Sequence, residues 1–233
     1  MEQAALKERA AFAAVDRLVT SGMKLGLGTG STAIHAVRRV GALLAQGRLR
    51  DICAVATSQG TAMECENLGI PLYTLNAKAI GGRLDLTIDG ADEVDGENRC
   101  VKGGGGALLL EKITAYASAA WAVVVDESKC RSRLGPGFPV PVEVVEEARL
   151  TVKARLEALG AEVSLREAVR KAGPVITEHG NLILDARFPE PPSPEFLEGE
   201  LNNIPGVVEN GFFTRLRPLV FIARTDGTVE ERP

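Results

Sequence analysis

Short apolar, β-prone runs recur through the first half of this chain, interleaved with helical stretches. That alternation constrains the fold more than any single motif. The runs lie at residues 23–27, 52–57, 70–74, 84–89 and 121–125. Helices are predicted at 2–21, 33–46, 59–68 and 107–119, the first from the spacing of Leu6, Phe12, Val15, Leu18 and Val19. Continuously apolar strands separated by helices are the pattern of an α/β fold. They predict a mainly parallel, Rossmann-like sheet with helices on both faces.

The texture changes near residue 131. Residues 134–141, LGPGFPVP, form a Gly/Pro linker and mark a boundary. A strand at 142–145, a helix at 148–159, strands at 162–165, 175–177 and 182–185, and a helix at 194–201 then follow. That order suggests a smaller α+β domain of ferredoxin-like type. The β-like segments at 206–213 and 218–225 are assigned back to the first sheet. The expected domains are therefore 1–130 with 206–233, and an inserted 131–205.

Bulk properties exclude several classes of function. Net charge is −4 with no basic block, which argues against nucleic acid as a partner. No apolar run approaches the roughly 20 residues of a membrane span. The N-terminal stretch is charged and amphipathic, so secretion is not expected. Four scattered cysteines without a C-x-x-C pair suit a reducing cytoplasm and disfavour structural zinc. Two histidines give a His-rich metal site or a Ser–His relay little material.

Chemistry-bearing residues concentrate at predicted strand ends, where open α/β sheets place ligands. GLGTGST at 26–32 links a strand to a helix through a turn of glycines and hydroxyls, a geometry suited to a phosphomonoester. It lacks the P-loop lysine and the third glycine of a dinucleotide fingerprint. DGAD at 89–92 sets two carboxylates where sugar hydroxyls or a metal could be held. Glu93 and Asp95 are expected to be solvated. Lys102, followed by Gly103, Gly104, Gly105 and Gly106, offers a cation and main-chain donors for a developing oxyanion. Glu111, one turn into the next helix, suits the transfer of a carbon-bound proton, and desolvation would raise its pKa towards neutrality. Lys129 ends DESK at 126–129, after the most apolar strand, and is a further candidate for phosphate or sugar oxygen. His35 and His179 are expected to be structural or exposed.

This series of motifs resembles the ribose-5-phosphate isomerase family, type A. The likeness rests on GLGTGST, Thr57-Ser58, DGADEVD at 89–95, KGGGGA at 102–107 leading to Glu111-Lys112, DESK, Leu134-Gly135 with Pro141-Val142-Glu143, and GVVENG at 206–211. Two departures stand out: TEHGN at 177–181 for the family's TDNGN, and Gly211-Phe212-Phe213 for its GLF. The resemblance implies interconversion of ribose 5-phosphate and ribulose 5-phosphate through an enediolate, without metal or organic cofactor, in the non-oxidative pentose phosphate pathway. It implies that Thr29, Gly30, Ser31, Thr32 and Lys129 hold the substrate, largely its phosphate. Asp89, Gly90, Ala91 and Asp92 would bind the sugar, one of the acids assisting ring opening. Lys102, Gly103, Gly104 and Gly105 would steady the enediolate, and Glu111 would accept the proton. It also implies a homodimer or higher homo-oligomer. Competing readings are an amino-sugar phosphate deaminase, which would need a catalytic histidine; a CoA transferase using a glutamate nucleophile; and a non-catalytic sugar-phosphate sensor.

Overall fold

The computed structural model describes residues 2–233. Its strands, in chain order, are β1 (Lys24–Leu27), β2 (Cys53–Ala56), β3 (Leu84–Asp89), β4 (Glu93–Val94), β5 (Cys100–Val101), β6 (Ser118–Asp126), β7 (Val140–Val144), β8 (Glu162–Leu165), β9 (Leu182–Arg187), β10 (Val207–Asn210), β11 (Phe212–Phe213), β12 (Leu219–Ala223) and β13 (Val229–Arg232). The helices are α1 (Gln3–Leu18), α2 (Ala33–Ala45), α3 (Gln59–Asn67), α4 (Leu108–Tyr116), α5 (Arg149–Ala158) and α6 (Pro194–Asn202). The chain groups into two compact units. One holds the chain up to Ala91, Leu110–Lys129 and Pro218–Pro233; the other holds Asp92–Leu109 and Cys130–Arg217.

The first unit is built on a six-stranded sheet in the order β13-β12-β6-β3-β1-β2. Every pairing is parallel except that of β12 with β13. Leu25, Leu27, Leu86, Ile88 and Val124 enter one core with Leu6, Ala10 and Val15 of α1 and Val37 and Val40 of α2. Side chains alternate along a strand, so Gly26 and Thr87 face the other way. There α4 approaches closely. A Cβ on Gly26 would lie 2.0 Å from Thr87 Oγ1 and 2.4 Å from Thr114 Cγ2, so only glycine lets α4 settle there. Thr87 Oγ1 donates to Thr114 O at 3.3 Å, fixing the helix against β3. Helices thus cover both faces, as a parallel sheet requires to shield its backbone.

In the second unit β7, α5, β8, β9, α6 and β10 give an antiparallel sheet of order β10-β7-β9-β8. That is the split β-α-β arrangement of ferredoxin-like domains. Its core joins Val142, Val144, Leu184 and Ala186 to Val152 and Leu156 of α5 and Leu197 and Leu201 of α6.

Several expected elements differ. Residues 70–74 form no strand; Leu72 makes only an isolated bridge to Ala54, because Pro71 and the flanking loop stop the ladder. Residues 175–177 are likewise reduced to one bridge, Ile176 to Leu182. Segment 206–213 does not return to the first sheet. β10 pairs with β7, and β11 pairs with β5, which pairs with β4, in a separate three-stranded sheet. Those two-residue strands have no period to read, and they carry residues 92–101 into the second unit. β13 is an additional edge strand.

Candidate active site

The strand order reverses between β1 and β3, because the chain leaves β1 for β2 on one side and returns to β3 on the other. Ligands of open α/β sheets bind at the carboxyl ends of such strands. Residues 28–32 leave β1 there and lead into α2. Asp89, at the end of β3, is buried, and its Oδ1 accepts from the N–H of Thr29 at 3.0 Å and of Gly90 at 2.7 Å. Gly28 N–H donates to Ile88 O at 3.0 Å. The turn is therefore held by the neighbouring strand end, and its exposed rim, Gly30 and Ser31, leaves the start of α2 open to an anion.

Gly28 is required by this packing. A Cβ there would sit 2.0 Å from Asp89 Oδ1 and 2.6 Å from Asp89 Cα, a clash with backbone that a side-chain rotation cannot relieve. Gly28→Ala is expected to cost roughly 1–3 kcal/mol by overpacking and to lower substrate affinity by displacing Asp89. Urea unfolding and a ligand titration on the same sample check both effects.

Behind the turn lies a hydroxyl cluster of which only Thr29 and Thr57-Ser58 belong to a sequence motif. Thr29 Oγ1 is 2.7 Å from Thr57 Oγ1 and 2.8 Å from Ser58 Oγ, and Thr61 Oγ1 donates to Gly28 O at 2.9 Å. Ser58 also caps α3 by accepting from Thr61 N–H at 3.2 Å. Lys7, on α1, went unnoticed in sequence; its Nζ donates to Ser31 Oγ at 2.9 Å and brings a cation to the turn. Helical spacing gives no hint of it, since an exposed lysine on an amphipathic helix is ordinary. Lys129 ends a 3-10 turn after β6, at the same carboxyl edge.

Glu111 lies in the first turn of α4 and is only 3% exposed. It precedes Thr114 by three residues and shares its side of the helix. Because α4 runs antiparallel to β3 and β6, one turn back from Thr114 leads towards the carboxyl edge. The rise is about 4.5 Å along the helix, while Asp89 lies about 6.6 Å beyond Thr87 along β3. The contact that docks α4 thus also directs Glu111 to the end of the sheet that carries Asp89 and the turn.

The second unit carries the remaining candidates. Lys102 is 2% exposed, donates its backbone N–H to Gly211 O at 2.9 Å, and holds its Nζ 5.6 Å from the centre of the Phe213 ring. A buried ammonium over an aromatic face keeps a fixed position and a strong field. Asp92, half-buried, accepts from Gly104 N–H at 2.8 Å through Oδ2. Gly103 has φ +100° and Gly106 φ +80°, and Gly106 N–H donates to Gly103 O at 2.9 Å, closing a turn before α4. Gly104 and Gly105 are exposed at its tip.

Two expectations are corrected. Glu93 and Asp95 are buried rather than solvated. Glu93 accepts from Gly135 N–H at 2.8 Å, with Arg131 Nε at 3.4 Å, and burial pushes its carboxyl above the usual range. Asp95 takes the N–H groups of Glu97 and Arg99 and the Arg99 guanidinium. Both acids brace loops of the second unit. The departures from the family pattern are harmless. Thr177 and Asn181 both bond the buried Glu143, at 2.8 and 2.9 Å, while the altered Glu178 and His179 point outward. Phe212 fills the second core. His35, on α2, has its pKa lowered chiefly by burial.

A doubly wound sheet with an anion-ready turn at its switch point, and a buried carboxylate on the helix beside it, is the architecture of α/β enzymes of small-molecule metabolism. The sequence model of ribose 5-phosphate isomerase A (phosphoriboisomerase A) matches residues 53–227. Ribose-5-phosphate isomerase A of Treponema denticola is 52% identical, the match spanning 99% of this chain and all of that protein. A solved D-ribose-5-phosphate isomerase in complex with phospho-erythronic acid superposes with a TM-score of 0.94 at 38% identity, covering both chains fully. That of Methanocaldococcus jannaschii gives 0.91 at 40%, covering 97% of each. The chain belongs to the ribose 5-phosphate isomerase A family.

Proposed function

We propose that this chain interconverts D-ribose 5-phosphate and D-ribulose 5-phosphate, with Glu111 moving the proton between C2 and C1. An aldose–ketose shift needs a carboxylate base, a fixed positive field for the enediolate oxygens, and an anchor that holds the reacting carbons in place. In this reading Thr29, Gly30, Ser31 and Thr32 take the phosphate with Lys7 and Lys129. Asp89 and Asp92, with Gly90 and Ala91, bind the sugar hydroxyls, and one acid assists ring opening. Lys102 and the glycines that follow it, Gly103, Gly104 and Gly105, steady the enediolate. The proton leaves C2 for the Glu111 carboxylate as charge develops on oxygen, and returns to C1.

The observation that carries this reading is the buried Glu111, directed by the Thr114 contact to the sheet edge that also bears Asp89 and the anion-ready turn. The relative bound to phospho-erythronic acid supports it, since that ligand is a phosphorylated sugar acid. The chain's own groups supply base, field and anchor, so no metal or organic cofactor is proposed. A reducing, cytoplasmic setting is inferred with Cys53, Cys65, Cys100 and Cys130 held outside disulfides, and no helix among the described residues is long and apolar enough to cross a membrane. A homo-oligomer is inferred from the family likeness and is checked by light scattering.

The test is a coupled absorbance assay for ribulose 5-phosphate with chelator present, run beside exchange of the C2 proton with solvent. Turnover with exchange is expected. Tight binding of ribose 5-phosphate without either would make the chain a sensor and overturn the reading.

A further inference from the structure

We infer that Arg166 is a positioning residue for the proposed reaction, holding the glycine turn after Lys102 and, through that turn, Asp92. The inference rests on the site reading above. Arg166 directly follows β8 and is absent from every motif noted in the sequence. Its Nη1 donates to Gly103 O at 2.8 Å and to Gly104 O at 3.1 Å. Its Nε donates to Asp185 Oδ2 at 2.9 Å, and its Nη2 to Asp185 Oδ1. The two side chains are only 14% and 17% exposed. Asp185 belongs to β9, which is paired on both sides, by β7 and β8. The Arg166 backbone is fixed too, by N–H donation to Ile183 O at 2.9 Å and by accepting from Val175 N–H at 2.8 Å.

This geometry has a chemical consequence. In a trans peptide the C=O and N–H point in opposite directions. Carbonyls of Gly103 and Gly104 that face the guanidinium turn the N–H groups of Gly104 and Gly105 away from it. One of them, Gly104 N–H, reaches Asp92 Oδ2 at 2.8 Å. The fit is close, since a Cβ on Gly104 would lie 2.5 Å from Asp92 Oδ1. A cation on the carbonyl side polarises each peptide and makes its N–H a better donor. Four glycines in a row would otherwise sample many turns. The bidentate Arg166–Asp185 pair selects one of them and fixes the direction of its donors.

The experiment compares full-length parent, Arg166→Met and Asp185→Asn by kcat, KM for ribose 5-phosphate and thermal midpoint. Arg166→Met is expected to lower kcat about 100-fold, the scale of a small misplacement of reacting groups, with KM changed much less. Guanidinium ion at sub-denaturing concentration is expected to restore part of that kcat, a rescue that mere stiffening of the fold would not show. Asp185→Asn, which leaves the guanidinium but loosens its fork, should fall between the two. A kcat for Arg166→Met within about threefold of the parent, or a loss that follows the thermal midpoint without rescue, overturns the inference. Failure of the underlying site reading looks different: Glu111→Gln and Lys102→Met would then remain active.

Discussion

Glu111→Gln is expected to reduce kcat by roughly 10³- to 10⁴-fold, the upper part of the range for loss of a general base, while ribose 5-phosphate still binds. The glutamine keeps the volume and hydrogen-bonding shape of the side chain but cannot accept the proton. Glu111 is buried within the first turn of α4, so a truncation would open a cavity and confuse loss of chemistry with loss of packing. The amide avoids that. Exchange of the C2 proton should disappear together with turnover, because both need the same carboxylate. Three measurements decide it: kcat by coupled absorbance, deuterium exchange at C2 by NMR, and ligand affinity by calorimetry. If the variant kept the parent's rate and pH profile, Glu111 would not be the base.

The second large effect is expected at Lys102. Lys102→Met should lower kcat/KM by roughly 10²- to 10³-fold, the cost of removing one fixed group from an oxyanion site. Methionine preserves the aliphatic stem and its packing on Phe213, so the variant should stay folded. What it loses is the ammonium, set over the Phe213 ring and little exposed to water. In such surroundings a positive charge acts on a developing enediolate with little screening. Arg cannot substitute, since its wider fork does not fit where a compact ammonium sat. Lys102→Arg is therefore expected to remain impaired. Near-parental kcat/KM in Lys102→Met would remove the cation from the mechanism.

Part of the proposed site was open to direct reading. Strand-to-turn chemistry at residues 26–32 and 89–92 stands out because glycines and hydroxyls in that setting have little packing value. Lys102 and Glu111 stood out for the same reason, since four glycines separate them from ordinary loop and helix. Lys7, Thr61 and Arg166 did not. Each is an unremarkable residue on an ordinary element, and each gains meaning only from a partner far along the chain: Ser31, Gly28 and the peptides of the glycine turn. Glu93 and Asp95 show the converse. Their charge suggested solvent, yet Gly135 and Arg99 give them buried partners.

The sequence by itself determined the alternation of strands and helices, the α+β character of the second unit without its last strand, and which residue types stand at the strand ends. Those features rest on local periodicity and on backbone rules that act within a few residues. Only the tertiary structure decided that Cys100 and Val101 pair with Phe213 and Phe212 on one side and Val94 and Glu93 on the other, that Gly26 admits α4 to the sheet, and that Thr114 turns Glu111 to the carboxyl edge. Pairings between distant segments depend on shape and on buried donors finding acceptors, and neither leaves a period in the chain.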